Sequence, residues 1–277
     1  MPELPEVETV RRGLTRLVKG HVVESTEVRW PKTVSNLTPE EFDAELAGRK
    51  IERIDRRGKY LLFRFSGDLT MVSHLRMEGS YYTVPRGTEP GKHDLVTFHL
   101  DDDVDLFYRD TRKFGRMTVV PNTQLDQVPG LSTLGPEPTE DALDFDYMKR
   151  IFNKSNARIK PFLLDQSHIA GIGNIYADET LWQSKIHPKT HVNALTDDEI
   201  HTLRNKIIAE MARSIEHHGT TVHSFTNVFG EAGEFQNELE VYGRAGEPCL
   251  RCGTALEKIK VAQRGTTFCP HCQVERD

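Results

Sequence analysis

The sequence predicts an α+β, two-domain protein, in which an N-terminal β-sandwich flanked by helices precedes a helical domain with a cysteine-rich hairpin at its end. Between residues 60 and 120, short runs rich in β-branched and aromatic residues alternate with turn residues. After residue 138 the apolar residues recur at helical spacing, and all four cysteines fall in the C-terminal region. The chain has 277 residues, which is long for one core and suits two domains.

The first half begins with a predicted helix over residues 5–18, where Val7, Val10, Leu14 and Leu17 recur at helical spacing. A second helix is expected at residues 39–46, with Thr38 as its N-cap. Regularly spaced β runs of this kind indicate a sandwich or barrel. The six predicted strands cover residues 60–65, 69–75, 80–84, 95–100, 104–109 and 116–120.

The second half begins after residues 121–138, which contain four Pro and two Gly and are typical of a linker. Helices are predicted at residues 139–152, 160–166 and 174–184. A further helix follows Thr196, which forms a capping box with Glu199. We therefore expect a β-sandwich domain over 1–133, a helical domain with a long loop over 134–240 and a metal-binding segment over 241–277.

Charge is unevenly distributed along the chain. The formal net charge is −6 and the pI is about 6.1, which alone disfavours a nucleic-acid partner. Residues 49–64, however, carry seven Lys or Arg against two acids, and residues 109–116 carry four against one. Basic faces on an acidic body are compatible with phosphate contacts, and they are also compatible with ordinary solvated faces.

The four cysteines predict a structural zinc site. Cys249, Cys252, Cys269 and Cys272 form two C-x2-C pairs, a spacing that fits tetrahedral Zn²⁺. A closed four-cysteine site leaves no position for water, so the metal stabilises the fold of the segment. A hairpin turn is expected at Gly265-Thr266, with Arg264 at its tip. Two disulfides are the alternative, but the first residues lack the basic and apolar regions of a secretion signal.

The amino terminus offers a nucleophile. Pro2 follows the initiator Met1, and a small residue at position two favours removal of that methionine. A free proline is a secondary amine, so its attack on a sugar aldehyde carbon gives an iminium directly. Its pKa is near that of an α-amino group, well below that of lysine. Glu3 and Glu6 place carboxylates nearby for proton transfer. The alternative is that Pro and Glu stand here only because both are favoured in the first turn of a helix.

Six motifs stand in one order along the chain: Met1-Pro-Glu-Leu-Pro-Glu-Val-Glu-Thr, Arg57-Gly-Lys-Tyr, His74-Leu-Arg-Met-Glu-Gly-Ser, Arg109-Asp-Thr-Arg-Lys-Phe-Gly, Gly171-Ile-Gly-Asn-Ile-Tyr and the two cysteine pairs. Together they resemble the bacterial formamidopyrimidine-DNA glycosylase family of 8-oxoguanine DNA glycosylases and AP lyases. The resemblance extends from Pro2 to about Cys272. It implies an N-terminal β-sandwich, a helix–two-turn–helix region and a C-terminal zinc hairpin.

The resemblance also implies catalytic roles at four positions. Pro2 is similar to the Schiff-base nucleophile that attacks C1′ of the damaged nucleotide, and Glu3 to its acid/base partner. Lys59 corresponds to the proton donor for β-elimination, although a lysine in a basic strand is otherwise a surface residue. Arg264 corresponds to the arginine assigned to δ-elimination and to phosphate binding, for which a planar guanidinium is suited.

DNA contacts are implied at further positions. A glycosylase extrudes its target nucleotide and fills the gap. Met77, Arg112 and Phe114 match the family's void-filling residues, although Met77 and Phe114 would otherwise be expected in the core. The remaining DNA-binding matches are His74, His93, Lys160 and Asn174, the last as the cap of a phosphate-binding helix. Glu78 and residues 220–240 match regions that handle the flipped base. One departure is Lys92-His93-Asp94-Leu95, where the family often has a second histidine.

The expected protein is thus a monomeric, cytoplasmic, nucleoid-associated enzyme of base-excision repair that acts on damaged double-stranded DNA and removes oxidised purines. One alternative is an endonuclease VIII-like glycosylase of oxidised pyrimidines. That class shares Pro2, Glu3 and the zinc hairpin but usually has Gly where this chain has Leu4. The other is a non-enzymatic zinc DNA-binding protein, which would keep Met1.

Overall fold

The chain forms two compact units in a computed structural model that describes residues 1–221 and 227–276. The first unit comprises Met1–Ser132 and His217–Glu234, and the second comprises Thr133–Glu216 and Phe235–Asp277. The segment 217–234 thus belongs to the first unit, although the sequence grouped it with the helical domain. The three-domain boundaries at 133 and 240 stay a prediction.

The described residues of the first unit form a β-sandwich of eight antiparallel strands. Its strands are β1 (Val23–Val28), β2 (Ile51–Arg57), β3 (Tyr60–Phe65), β4 (Leu69–His74), β5 (Ser80–Pro85), β6 (Asp94–Leu100), β7 (Val104–Arg109) and β8 (Arg116–Pro121). One sheet has the order β1-β6-β7-β5 and the other has the order β2-β3-β4-β8. This confirms the sandwich, and it adds β1 and β2, which the sequence did not delimit.

Two helices flank the sandwich. Helix α1 (Leu4–Val18) contributes Val7, Val10, Leu14 and Val18 to the core of the unit, because these residues share one face. Helix α2 (Pro39–Leu46) starts at Thr38, whose hydroxyl accepts a hydrogen bond from the backbone N–H of Glu41. Both predicted helices and the Thr38 cap are confirmed.

The second unit is helical and ends in a two-stranded hairpin. Its elements are α3 (Phe145–Asn153), α4 (Ile159–Leu164), α5 (Asn174–Gln183), α6 (Asp197–Glu216), β9 (Glu257–Val261) and β10 (Arg264–Phe268). Helix α3 begins later than predicted because the Asp144 carboxylate caps it by accepting a hydrogen bond from the N–H of Tyr147. None of the described helices combines the length and apolar character needed to cross a bilayer.

The hairpin turn lies at Ala262-Gln263, so the predicted turn at Gly265-Thr266 is wrong. Ala262 and Gln263 have φ of 47° and 62°, the left-handed backbone of a two-residue turn. Gly265 lies within β10, where it pairs with Lys260. The sequence suggested the wrong position because Gly is the usual residue with positive φ, and this turn has none. Arg264 therefore flanks the turn, paired with Val261, rather than standing at its tip.

Candidate functional site

The amino-terminal segment is fixed by a reciprocal cap at the start of α1. Pro2 is buried and directly precedes Glu3, the N-cap residue. The Glu3 backbone N–H donates to Glu6 Oε2 at 2.8 Å, which forms one half of a capping box. Both carboxylates are buried, at 3% exposure for Glu3 and 2% for Glu6. Pro2 therefore sits beside two carboxylates at the positive end of a helix dipole.

Glu6 also binds the segment that returns from the end of α6. Its Oε1 accepts a hydrogen bond from the Thr220 N–H at 2.8 Å. Gly219 precedes this contact with φ of 77°, and a Cβ there would lie 3.0 Å from Glu6 Oε1. The sequence suggested Glu6 only as a nearby proton carrier. Its second role, as a link from α1 to residues 217–221, depends on a contact between residues that are far apart in sequence.

Lys59 lies in the turn between β2 and β3, and His74 is the last residue of β4, the strand next to β3. Lys59 is only 5% exposed and directly precedes Tyr60, which pairs with His74 across β3 and β4. Burial, aided by the cations Arg76 and Lys59, lowers the pKa of His74 to about 3. His74 Nδ1 accepts the Arg76 backbone N–H at 2.9 Å. The ring is therefore neutral at physiological pH and carries its proton on Nε2, as a hydrogen-bond donor.

The three expected void-filling side chains lie in loops of the first unit. Phe114 is 48% exposed, and the Arg112 guanidinium lies 4.9 Å from the centre of its ring. Met77 is half-buried in the loop between β4 and β5. Arg112 and Phe114 belong to the β7–β8 turn and not to a strand, so the alternative expectation of a core position for Phe114 is wrong. An exposed phenylalanine beside an arginine fits a role in filling a gap in a base stack.

Asp110 organises that turn, and the sequence analysis missed it. Its carboxylate is fully buried and accepts the backbone N–H groups of Arg112 (2.9 Å), Phe114 (2.9 Å) and Gly115 (2.8 Å). The Asp110 N–H donates to the His93 carbonyl at 3.0 Å, which joins His93 to the same turn. The sequence did contain a signal for this role, namely an Asp that directly precedes a turn, because Asp side chains often accept hydrogen bonds from backbone N–H groups a few residues further on.

Lys160 lies inside the second unit, contrary to the expectation of a direct DNA contact. Its side chain is 0% exposed and its ammonium donates to Asp178 Oδ1 at 2.6 Å. It also donates to the Gly265 carbonyl (3.0 Å) and to Thr266 Oγ1 (2.7 Å) on β10. Burial raises the pKa of Asp178, and Lys160 opposes that shift. A phosphate could reach this ammonium only by displacing the hairpin.

Asn174 and Arg264 lie at the same hairpin. Asn174 is the first residue of α5 and Gly173 is its cap, so the predicted capping by Asn174 is wrong. Its side-chain amide instead donates to the Gly265 carbonyl at 3.1 Å. Arg264 is exposed. The N-terminus of α5 and the exposed Arg264 guanidinium both belong to the second unit, and each is a kind of group that can bind phosphate.

The four cysteines converge as a zinc site requires. Their sulfur atoms all lie within 4.8 Å of one another, and Cys252 Sγ is 3.5 Å from Cys269 Sγ. Four thiolates at about 2.3 Å from one Zn²⁺ would have sulfur separations of this size. Trp182 Nε1 donates to Cys249 Sγ at 3.3 Å, as the surrounding groups of a metal site commonly do. The cysteines thus fit a single structural zinc ion.

A cavity of about 690 Å³ lies in the first unit beside β5. Its walls combine charged, hydroxyl and aromatic side chains with residues from the segment that returns after α6. The lining includes Glu78, Tyr82, Arg109, Thr111, Asn227 and Phe229. A pocket of this size and mixed lining can hold a small planar ligand.

These features define a class of protein, the helix–two-turn–helix DNA glycosylases, in which an N-terminal β-sandwich accompanies a zinc hairpin. Matches to known families cover most of the chain: "Formamidopyrimidine-DNA glycosylase N-terminal domain" at residues 1–117, "Formamidopyrimidine-DNA glycosylase H2TH domain" at 134–226 and "Zinc finger found in FPG and IleRS" at 246–274. The chain belongs to the formamidopyrimidine-DNA glycosylase family.

Relatives and solved structures agree over the full length. The formamidopyrimidine-DNA glycosylase of Lactiplantibacillus plantarum is 66% identical over 270 residues, covering 98% of each chain. That of Pediococcus pentosaceus is 60% identical and covers 100% of each chain. The structure of Lactococcus lactis Fpg with DNA containing an abasic site has a TM-score of 0.94 at 42% identity, covering 99% of this chain and 100% of that one. A complex of the L. lactis protein with N7-benzyl-Fapy-dG DNA has a TM-score of 0.93 at 43% identity, with the same coverage.

Proposed function

We propose that the amino group of Pro2, once Met1 is removed, is the nucleophile of this base-excision repair glycosylase, which excises oxidised purines from DNA and cleaves the abasic strand. The observation that most supports this is the position of Pro2. It is buried at the start of α1, next to Glu3 and Glu6, whose carboxylates form the capping box of that helix. A free α-amino group has an ordinary pKa of about 8, far below that of lysine, so a useful fraction of such amines carries a lone pair near neutral pH.

The chemistry then follows from a secondary amine. The Pro2 nitrogen attacks C1′, the bond from C1′ to the base breaks, and the base leaves with the electron pair and takes up a proton. The Pro2 nitrogen then loses its proton and the bond from C1′ to O4′ breaks, so that O4′ takes up a proton and an iminium forms between C1′ and the nitrogen. This iminium acidifies C2′–H. Loss of that proton expels the 3′-phosphate, and a second elimination expels the 5′-phosphate. Water finally hydrolyses the iminium and frees Pro2. Glu3 is the carboxylate placed to carry protons in these steps.

Lys59 and Arg264 supply positive charge to the eliminations in this scheme. Lys59 is buried beside His74 in the first unit, where its ammonium can donate a proton to a leaving group. Arg264 is exposed next to the hairpin turn and suits bidentate binding of a phosphate. Lys160 takes a different role from the one expected, since it fixes β10 through Gly265 and Thr266 and so positions Arg264.

Binding of the duplex uses neutral donors together with cations. His74 donates from Nε2 without carrying charge, and His93 accompanies the Asp110 turn. The N-terminal N–H groups of α5, at Asn174, bind a phosphate. Met77, Arg112 and Phe114 fill the gap that the extruded nucleotide leaves, and Arg112 satisfies the orphaned partner base. The cavity beside Glu78 accepts the extruded base.

We infer that the substrate is an oxidised purine in DNA, because both the matched family and the solved complexes with DNA support this substrate class. One neighbouring structure is described as MutM in complex with DNA containing carbocyclic 8-oxo-G, at a TM-score of 0.93 and 43% identity. The endonuclease VIII-like alternative is not favoured by these comparisons. We expect the protein to work as a monomer in the bacterial cytoplasm, on the nucleoid.

Borohydride trapping tests the nucleophile. Reduction during the reaction should join the protein covalently to an 8-oxoguanine duplex through Pro2, and intact mass should show that Met1 is absent. Pro2→Gly, whose primary amine is a poorer route to the iminium, should lose cleavage. Pro5→Ala is the matched control, because Pro5 lies in the same turn of α1. Cleavage by Pro2→Gly at the wild-type rate would overturn the assignment, and faster cleavage of a thymine-glycol duplex would favour the pyrimidine alternative.

A further inference from the structure

Helix α1 contacts the segment 217–234 at two positions along the same face of the helix. Glu6 holds its first part through the Thr220 N–H at 2.8 Å. Gly13 lies seven residues after Glu6, two turns along the same face, and contacts Val228 in its second part. Residues 222–226 lie between these contacts and outside the described residues. The helix that follows Pro2 therefore contacts this segment both before and after residues 222–226.

The contact at Gly13 has no room for a side chain. A Cβ built on Gly13 would lie 2.3 Å from Val228 Cγ2, a distance at which one of the two must move. Val228 is 4% exposed and belongs to the core of the first unit, so it cannot swing into solvent. Gly in a helix interior is less favourable than Ala, and nothing about the Gly13 backbone requires Gly. Close packing against Val228 is what this glycine provides.

Val228 also belongs to the wall of the cavity beside β5. Asn227, Val228, Phe229 and Gly230 form a continuous part of the lining, to which Glu78 also belongs. Residues 227–231 form a turn that Asn227 stabilises: its Oδ1 accepts the N–H of Phe229 at 2.9 Å and that of Glu231 at 3.0 Å. Because this turn is itself fixed, a shift of Val228 must move the wall as a unit.

We propose that Gly13 and Val228 form a packing contact that positions this wall against an extruded base, and so sets the rate of base excision separately from the rate of strand cleavage. The inference rests on the proposed function, in that the cavity must accept the base. Excision needs the base held while C1′ is attacked. An abasic substrate has no base to hold, so its cleavage needs only the amine, the carboxylates and the phosphate contacts.

The test compares two substrates under single-turnover conditions. Gly13→Ala should slow excision of 8-oxoguanine by at least about tenfold, since small misplacements of reacting groups have large effects on rate. Its cleavage of a preformed abasic duplex should stay within about twofold of wild type, the small change expected when the reacting groups keep their positions. Arg16→Ala, an exposed change on the same helix, is the matched control and should change neither rate.

The double variant makes the inference falsifiable even if Gly13→Ala is unstable. Val228→Ala removes the colliding methyl group and leaves the two Cβ atoms about 3.6 Å apart, an ordinary contact. Gly13→Ala/Val228→Ala should therefore recover most of the excision rate. Equal loss of excision and cleavage in a folded Gly13→Ala protein, no loss at all, or no recovery in the double variant would each overturn the proposal. Failure of the wild type to excise 8-oxoguanine would instead contradict the proposed function.

Discussion

Asp110 offers a direct test of how the protein fills the gap in the base stack. In Asp110→Asn the amide oxygen can keep the Oδ2 position, where it accepts from Phe114 and Gly115. The amide nitrogen then replaces Oδ1 and faces the Arg112 N–H, donor against donor. A hydrogen bond to a charged group contributes about 2 kcal/mol, so we expect a loss of that size in unfolding free energy. The variant thus releases Arg112 while Phe114 stays in place.

Binding of DNA is the informative measurement for this variant. Once released, the Arg112 loop must be ordered on binding, and a penalty of about 1.4 kcal/mol raises Kd about tenfold. Fluorescence anisotropy with a duplex carrying an uncleavable abasic analogue would measure this. Asp126→Asn, an exposed aspartate in the same unit, is the control.

A double-mutant cycle decides whether Asp110 acts through Arg112. If it does, adding Asp110→Asn to Arg112→Ala should weaken binding little beyond Arg112→Ala alone. Full additivity of the two defects, or wild-type affinity of Asp110→Asn, would refute the reasoning.

Three further outcomes are expected. Lys160→Met leaves Asp178 buried and unpaired, so the second unit should lose about 3–5 kcal/mol in denaturant titrations, with partial recovery in Lys160→Met/Asp178→Asn; an unchanged midpoint would contradict this. The pKa of His74 is lowered to about 3 in the folded protein, so its contribution to stability is present above pH 6.5 and is lost as the pH falls. Between pH 6.5 and 5 the wild type should lose about 2 kcal/mol more than His74→Gln, and parallel curves for the two would refute the assignment. Chelation of zinc should alter Trp182 fluorescence and abolish strand cleavage while the β-sandwich keeps its hydrogen-exchange protection; intact cleavage without zinc would show that the hairpin is dispensable.

Local patterns in the sequence predicted the elements well where one physical cause dominated. The α1 stripe, the Thr38 cap and the cysteine spacing each depend on residues close in sequence, and all three are confirmed. The alternation of apolar residues defined most strands of the sandwich. Strand β2 was not delimited because its charged residues conceal the alternation, since only Ile51 and Ile54 are buried.

Contacts between residues far apart in sequence could not be predicted. Lys160 has the composition of a surface residue, and only the structure reveals that Asp178 and β10 enclose it. Positive φ at Ala262 and Gln263 contradicts the preference of turns for glycine, because the rest of the hairpin determines the turn position. The exposure of Phe114 likewise depends on Asp110, whose buried carboxylate accepts the Phe114 N–H and so fixes the turn.

The discontinuous first unit has a consequence for how the protein is made. Residues 217–234 supply the core residue Val228 and the Thr220 N–H that binds Glu6, and they are synthesised after residues 133–216. On the ribosome, the β-sandwich therefore cannot complete its core until the chain between the two parts has emerged. Contacts of such long sequence separation slow folding. A nascent chain stopped before residue 217 would expose apolar surface on α1 around Gly13, where chaperones bind and where aggregation would start.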